Sequence, residues 1–154
     1  MIIDIEIADP AWGDVDQSVR CAANAALAAV FPDGKTRELS IRLSDNEEVR
    51  GLNRDYRDKD KPTNVLSFES EMPDMAWPEG EPYPIGDIIV AYETVRDEAL
   101  AQGKDLENHL CHLIVHGVLH LSGYDHEDDT TAEKMEALEI TILASLGISD
   151  PYQA

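Results

Sequence analysis

Apolar residues recur in this chain at two spacings, and the alternation between them constrains the fold more than any other feature. Ile3, Ile5 and Ile7 alternate with Asp4 and Glu6, and Leu39, Ile41 and Leu43 alternate with polar residues, the period of a half-buried strand. Two short runs, residues 64–68 (NVLSF) and 85–91 (IGDIIVA), are rich in strand-forming side chains. Elsewhere the period is helical. Val19, Ala22, Ala23, Ala26, Leu27 and Val30 predict a helix over residues 15–31, capped by Asp14 or Asp16 and stopped by Pro32-Asp33-Gly34. Ser44 with Glu47 forms a capping-box pattern that opens a short helix through Val49, Leu52 and Tyr56. Residues 92–103 predict a helix that buries Val95, Ala99 and Leu100, and residues 105–122 predict another that ends at Gly123. Thr130 with Glu133 opens a last helix with Met135, Leu138, Ile142 and Leu146 inward. Residues 69–84, with four prolines and no periodicity, read as a surface loop.

Four strands and about five helices in 154 residues predict one α/β domain over residues 1–154, a mixed four-stranded sheet covered by helices. No apolar run approaches the roughly 20 residues that span a bilayer, and the N-terminus lacks the basic start of an export signal, so a cytoplasmic protein is expected. Cys21 and Cys111 form no Cys-x-x-Cys pair and read as buried, reduced thiols. A formal net charge of −20 argues against a broad electrostatic grip on nucleic acid. Against that background Arg50, Arg54, Arg57, Lys59 and Lys61 crowd into twelve residues and suggest a local anion site.

The chemistry concentrates in HGVLHLSGYDH, residues 116–126. His116 and His120 stand one helical turn apart, with Cβ atoms roughly 5–6 Å from one another, so both reach one ion from one face. Gly123 lets the chain reverse, and His126 returns as a third imidazole. Three neutral imidazoles leave a position open, as in catalytic zinc sites. His112, one turn before His116, either contacts the site or bonds a neighbour, and His109 reads as exposed. The spacing is similar to the metzincin motif H-E-x-x-H-x-x-G-x-x-H, but Gly117 replaces the glutamate that serves those proteases as general base. Peptide hydrolysis by that route is disfavoured. A phosphodiester, whose attack needs charge neutralisation as well as a nucleophile, suits the site better.

HLIVHGVLHLSGYDHE resembles the histidine signature of the YbeY family of bacterial ribonucleases. Leu52-Asn53, Tyr56-Arg57, the run from Lys59 to Phe68, Gly86-Asp87-Ile88, Glu136 and the stretch from Leu143 to Gly147 match further marks in the same order. The resemblance implies a zinc-dependent, single-strand-specific endoribonuclease that matures the 3′ end of 16S rRNA and serves ribosome quality control. Its expected partners are rRNA, the small ribosomal subunit and assembly factors. It also implies His116, His120 and His126 as ligands of one zinc or other divalent ion, and Arg57 as a functional residue. The guanidinium of Arg57 suits a bidentate grip on phosphate near the metal, and Lys59 and Lys61 are placed to follow the RNA backbone. Asp87, Asp125 and His112 are candidates to orient a ligand histidine. Two other readings compete: a zinc hydrolase of a peptide or ester, and an assembly-binding protein with a structural metal.

Overall fold

The computed structural model of this chain describes residues 1–70, 77–125 and 127–153. The strands are β1 (Ile2–Ile7), β2 (Arg37–Ser44), β3 (Val65–Glu69) and β4 (Tyr83–Ala91). The helices are α1 (Asp16–Val30), α2 (Asn46–Arg57), α3 (Tyr92–Gln102), α4 (Leu106–Leu121) and α5 (Asp129–Ser145), with a short 3₁₀ turn at Pro10–Trp12. The four strands form one sheet in the order β1-β2-β4-β3, with β1, β2 and β4 parallel and β3 antiparallel to β4. The mixed sheet and five helices expected from periodicity are therefore present.

Alternation sets the buried face. Ile3, Leu39, Ile41, Leu43, Ile88 and Val90 are all buried and join one core with Val19, Ala22, Ala23, Ala26 and Leu27 of α1. Helix α4 lies at the centre of that core and is buried along most of its length, packing against α1, α3, α5, β3 and β4. A helix apolar on nearly every side must be enclosed, and α4 is. Its histidines therefore meet other elements as well as solvent.

Several local expectations are corrected. Helix α2 is capped by Asp45, whose carboxylate accepts from Glu48 N at 2.9 Å, and not by Ser44. Helix α5 starts two residues earlier than the Thr130 pattern suggests: Asp128 and Thr131 form the capping box. Helix α1 has no side-chain cap at Val15, although Asp16 places a charge in its first turn. Leu100 is 74% exposed because α3 buries only the stripe of Val95 and Ala99. Cys111 is buried as expected, whereas Cys21 is exposed. Part of the predicted loop, residues 71–76, lies outside the described residues. After it, Trp77 Nε1 donates to Glu81 O at 3.0 Å, closing a turn before β4.

Two glycines record how tightly the sheet and α4 meet. A Cβ on Gly117 would lie 2.9 Å from Ile88 Cδ1, so the helix crosses β4 at the one residue without a side chain. Gly86, opposite Glu69 in the β3–β4 ladder, has φ of 149°, and a Cβ there would meet both Phe68 O at 2.2 Å and Leu121 Cδ2 at 2.9 Å.

Candidate metal centre

The histidines of α4 fall on a stripe that faces β3, α5 and the C-terminal tail. His116 Nε2 and His120 Nε2 lie 3.0 Å apart, so the two rings present their outer nitrogens to one point. Ring nitrogens bound to one tetrahedral zinc at roughly 2.0–2.1 Å each stand only slightly further apart, so this pair fits a shared divalent ion. His126 lies outside the described residues.

Behind His116 stands a residue that periodicity missed. Glu139 of α5 is completely buried and its Oε1 accepts from His116 Nδ1 at 2.5 Å. Its other oxygen lies 3.5 Å from His112 Nε2 and accepts from the Tyr152 hydroxyl. Burial works against the Glu139 charge, but the bonds from His112, His116 and Tyr152 outweigh it and hold the carboxyl down to about 2. A signal for Glu139 was present: it is a carboxylate one turn after Met135 and three residues before Ile142, inside the apolar stripe of α5. Nothing in the sequence flags Tyr152.

Two donor sets thus share His116. Its Nδ1 belongs to a cluster with His112 and Glu139 whose ligand atoms lie within 4.8 Å of one another. Its Nε2 faces His120 instead. The first set offers nitrogen and oxygen donors and the second two nitrogens, donor types that a divalent ion takes.

Arg57, the last residue of α2, reaches the same place. It lines a cleft of about 290 Å³ together with Asn64, Ser67, Glu69, His116 and His120. Its Nη2 donates to Ser67 O at 2.9 Å and its guanidinium lies 5.4 Å from the Phe68 ring centroid. Arg50 pairs with Asp60 and Arg54 with Asp55, but among the described residues Arg57 makes no ion pair. Lys59 and Lys61 are exposed on the following loop, which is folded back by Lys59 N to Asn53 O at 3.2 Å and Asn53 Nδ2 to Lys61 O at 2.9 Å. They do not line the histidine cleft. A larger cleft, about 1170 Å³, lies beside Arg37, Trp77 and Tyr83 and shares only Glu69 and Leu121 with the histidine cleft.

The remaining candidates separate. Asp87 lines a different cleft with Asp4, Glu6 and Arg42. Asp125 accepts from Glu127 N at 3.1 Å, the bond of a turn-stabilising acid. His112 Nε2 lies 3.3 Å from the Tyr152 hydroxyl and 3.5 Å from Glu139 Oε2. His109 is buried rather than exposed, bonded through Nε2 to Glu98 at 3.0 Å, and burial pushes its pKa down against that carboxylate.

The sequence model of endoribonuclease YbeY matches residues 7–147. The chain belongs to the YbeY family. Curated YbeY relatives, each named an endoribonuclease, resemble it over nearly its whole length. The one from Azorhizobium caulinodans is 54% identical, covering 99% of this chain and 96% of its own. That of Paramagnetospirillum magneticum is 54% identical with 97% and 94% covered, and that of Alcanivorax borkumensis 50% identical with 97% and 85% covered. The solution structure of a Thermotoga maritima protein, 24% identical, superposes with a TM-score of 0.60 over 99% of this chain and 100% of that one, which establishes the shared fold. In this YbeY chain the histidine helix, the end of α2 and the β3 strand converge on one cleft.

Proposed function

We propose that this chain cleaves single-stranded RNA at a divalent ion, by preference zinc, held by His116, His120 and His126, with Arg57 binding the phosphate under attack. Family membership supplies the reaction class: the chain is an endoribonuclease, a hydrolase. The observation that carries the rest is the convergence of His116 Nε2 and His120 Nε2 in the cleft that Arg57 also lines. The alternative set behind His116 is sealed: Glu139 is fully buried and both its oxygens already accept hydrogen bonds. A carboxylate so engaged serves better as the acceptor for His116 Nδ1–H, which fixes the tautomer whose lone pair sits on Nε2, the nitrogen that faces His120.

Each side chain then has a task. A bound divalent ion would neutralise phosphate charge and acidify a water. Arg57, neutralised by no carboxylate among the described residues, offers paired N–H donors to a phosphate oxygen beside it. Its packing over Phe68 and its bond to Ser67 O hold the guanidinium toward the cleft at little entropic cost. Ser67 and Asn64 line the same wall and can orient the substrate's sugar or phosphate. Lys59 and Lys61, outside the cleft, suit flanking backbone contacts.

Preference for unpaired RNA, a role in maturing the 3′ end of 16S rRNA and in ribosome quality control, and partners on the small subunit follow from the family resemblance and belong to this proposal. A cytoplasmic setting belongs to it too; no helix among the described residues is long and apolar enough to cross a membrane.

The deciding experiment compares the metal-loaded protein with His116→Ala and Arg57→Ala on single-stranded rRNA fragments, with elemental analysis of each preparation. Cleavage lost in both variants, and metal lost only from His116→Ala, is the expected pattern. Equal cleavage by all three proteins would sink the assignment.

A further inference from the structure

The C-terminal tail meets the metal centre at one side chain. After α5 the chain turns at Gly147, and Lys104 Nζ donates to Pro151 O at 2.6 Å, tying the tail to the loop between α3 and α4. Asp150 accepts from Tyr152 N at 2.8 Å and turns the tail back. The Tyr152 ring then lies edge-on to His112, with centroids 5.4 Å apart. Its hydroxyl donates to Glu139 Oε2 and lies 3.3 Å from His112 Nε2. Tyr152 stands beyond the stretch, residues 7–147, that the family model matches.

We infer that Tyr152 is a positioning residue of the metal centre, acting through Glu139 on His116. This rests on the reading that the ion sits on the Nε2 side of His116 and His120. Glu139 is a buried carboxylate whose two oxygens are divided between neighbours: Oε1 takes His116 Nδ1–H at 2.5 Å, and Oε2 takes the Tyr152 hydroxyl, with His112 at 3.5 Å. Remove the hydroxyl and Oε2 keeps only that longer contact. A buried carboxylate short of a donor turns toward whichever donors remain, because an unsatisfied charge in the interior is costly. Any such turn loosens its hold on His116 Nδ1–H. That bond keeps the proton on Nδ1 and the lone pair on Nε2, so loosening it weakens the metal ligand without touching the metal. The tail is thereby a strap whose Tyr152 hydroxyl, through Glu139, sets the aim of a histidine on α4.

The test measures zinc affinity by competition with a chromophoric chelator, and the His116 tautomer by nitrogen NMR of the metal-free protein. It uses wild type, Tyr152→Phe, Glu139→Gln, the double variant and His116→Ala. Tyr152→Phe keeps the ring and loses the hydroxyl. It is expected to weaken zinc by about 10-fold or more, the usual effect of losing an outer hydrogen-bond partner, and to mix the His116 tautomers. Glu139→Gln should weaken zinc at least as much, and the double variant no further, because both act through one bond. Wild-type affinity and tautomer in folded Tyr152→Phe would overturn the inference. Should Tyr152→Phe fail to fold without metal, Lys104→Ala takes its place: it releases Pro151 and leaves the network residues intact. It is expected to weaken zinc in the same direction by a smaller factor, and unchanged affinity there overturns the inference equally. Failure of the underlying reading looks different, with zinc binding absent from wild type or untouched in His116→Ala.

Discussion

Arg57 and the two cysteines show how environment decides the use of a side chain. Arg57 is exposed, so its substitution costs only its surface contacts with Phe68 and Ser67 O, yet it is the cation of its cluster that reaches the histidine cleft. Losing one preorganised donor to a charged reacting group commonly slows turnover about 10²-fold, and we expect Arg57→Ala to lower kcat/KM on single-stranded RNA by that order with an unchanged melting temperature. Arg57→Lys should recover little, because an ammonium cannot form the paired contact. A Lys variant as active as wild type would show that only charge matters there. The thiols differ by location. Burial pushes the Cys111 thiol up to about 11, whereas Cys21 lies on the exposed side of α1. One thiol per chain should therefore react with a disulfide reagent in the native protein, and the second only in denaturant; mass mapping that finds Cys111 labelled first contradicts this.

At the level of elements, α4 both fills the core and carries the site, and Gly117 marks where the two demands meet. The position that bears a general base in the metzincin pattern faces Ile88 of β4 here, with no room even for a Cβ at ordinary contact distance. The missing carboxylate is thus a packing requirement as well as a chemical choice. Gly117→Ala should cost about 1–3 kcal/mol through overpacking against Ile88, offset in part by better helix propensity. Gly117→Glu should not create a peptidase; burying an unpaired carboxylate against the sheet is expected to unfold the chain at ambient temperature, as circular dichroism would register. Stable Gly117→Glu protein with peptidase activity would contradict this account. Gly86 is the second such position, and Gly86→Ala should lower the melting temperature more than Gly117→Ala, since its positive φ and the Phe68 carbonyl both oppose a side chain.

The whole molecule carries a formal charge of −20, and its structure neutralises two of the five clustered cations as well. Arg42 bridges Glu6 and Glu48, and Arg50 and Arg54 are paired within their own cluster. Within that cluster Arg57, Lys59 and Lys61 are left outside the ion pairs of the described residues, and these are the cations that the proposed function assigns to RNA. Three phosphate contacts to a single strand predict a slope of about −2 for log K against log salt, far shallower than for a basic nuclease. Filter binding or anisotropy with an uncleavable single-stranded RNA between low and physiological salt checks it, and a slope near −5 would reveal an interface larger than these three residues. Weak intrinsic binding also favours a substrate held in place by other components of its assembly.

The element types and the His116–His120 pair were legible in the sequence because each depends on local periodicity, which a chain carries in its residue order. The family marks were legible for the same reason. Caps were less so: Ser44 and Thr130 matched the pattern, but Asp45 and Asp128 won, since several capping residues lay within one turn and only the path of the flanking chain chose between them. His109 and Leu100 exchanged their expected burial because the neighbouring helix decides which face of an element is covered. Sequence by itself determined that two imidazoles share one helical face. Only the tertiary structure brought Glu139 from α5, Tyr152 from the tail and Arg57 from α2 to that face, because contacts across 13 to 59 residues depend on how elements pack and leave no periodic trace in the chain.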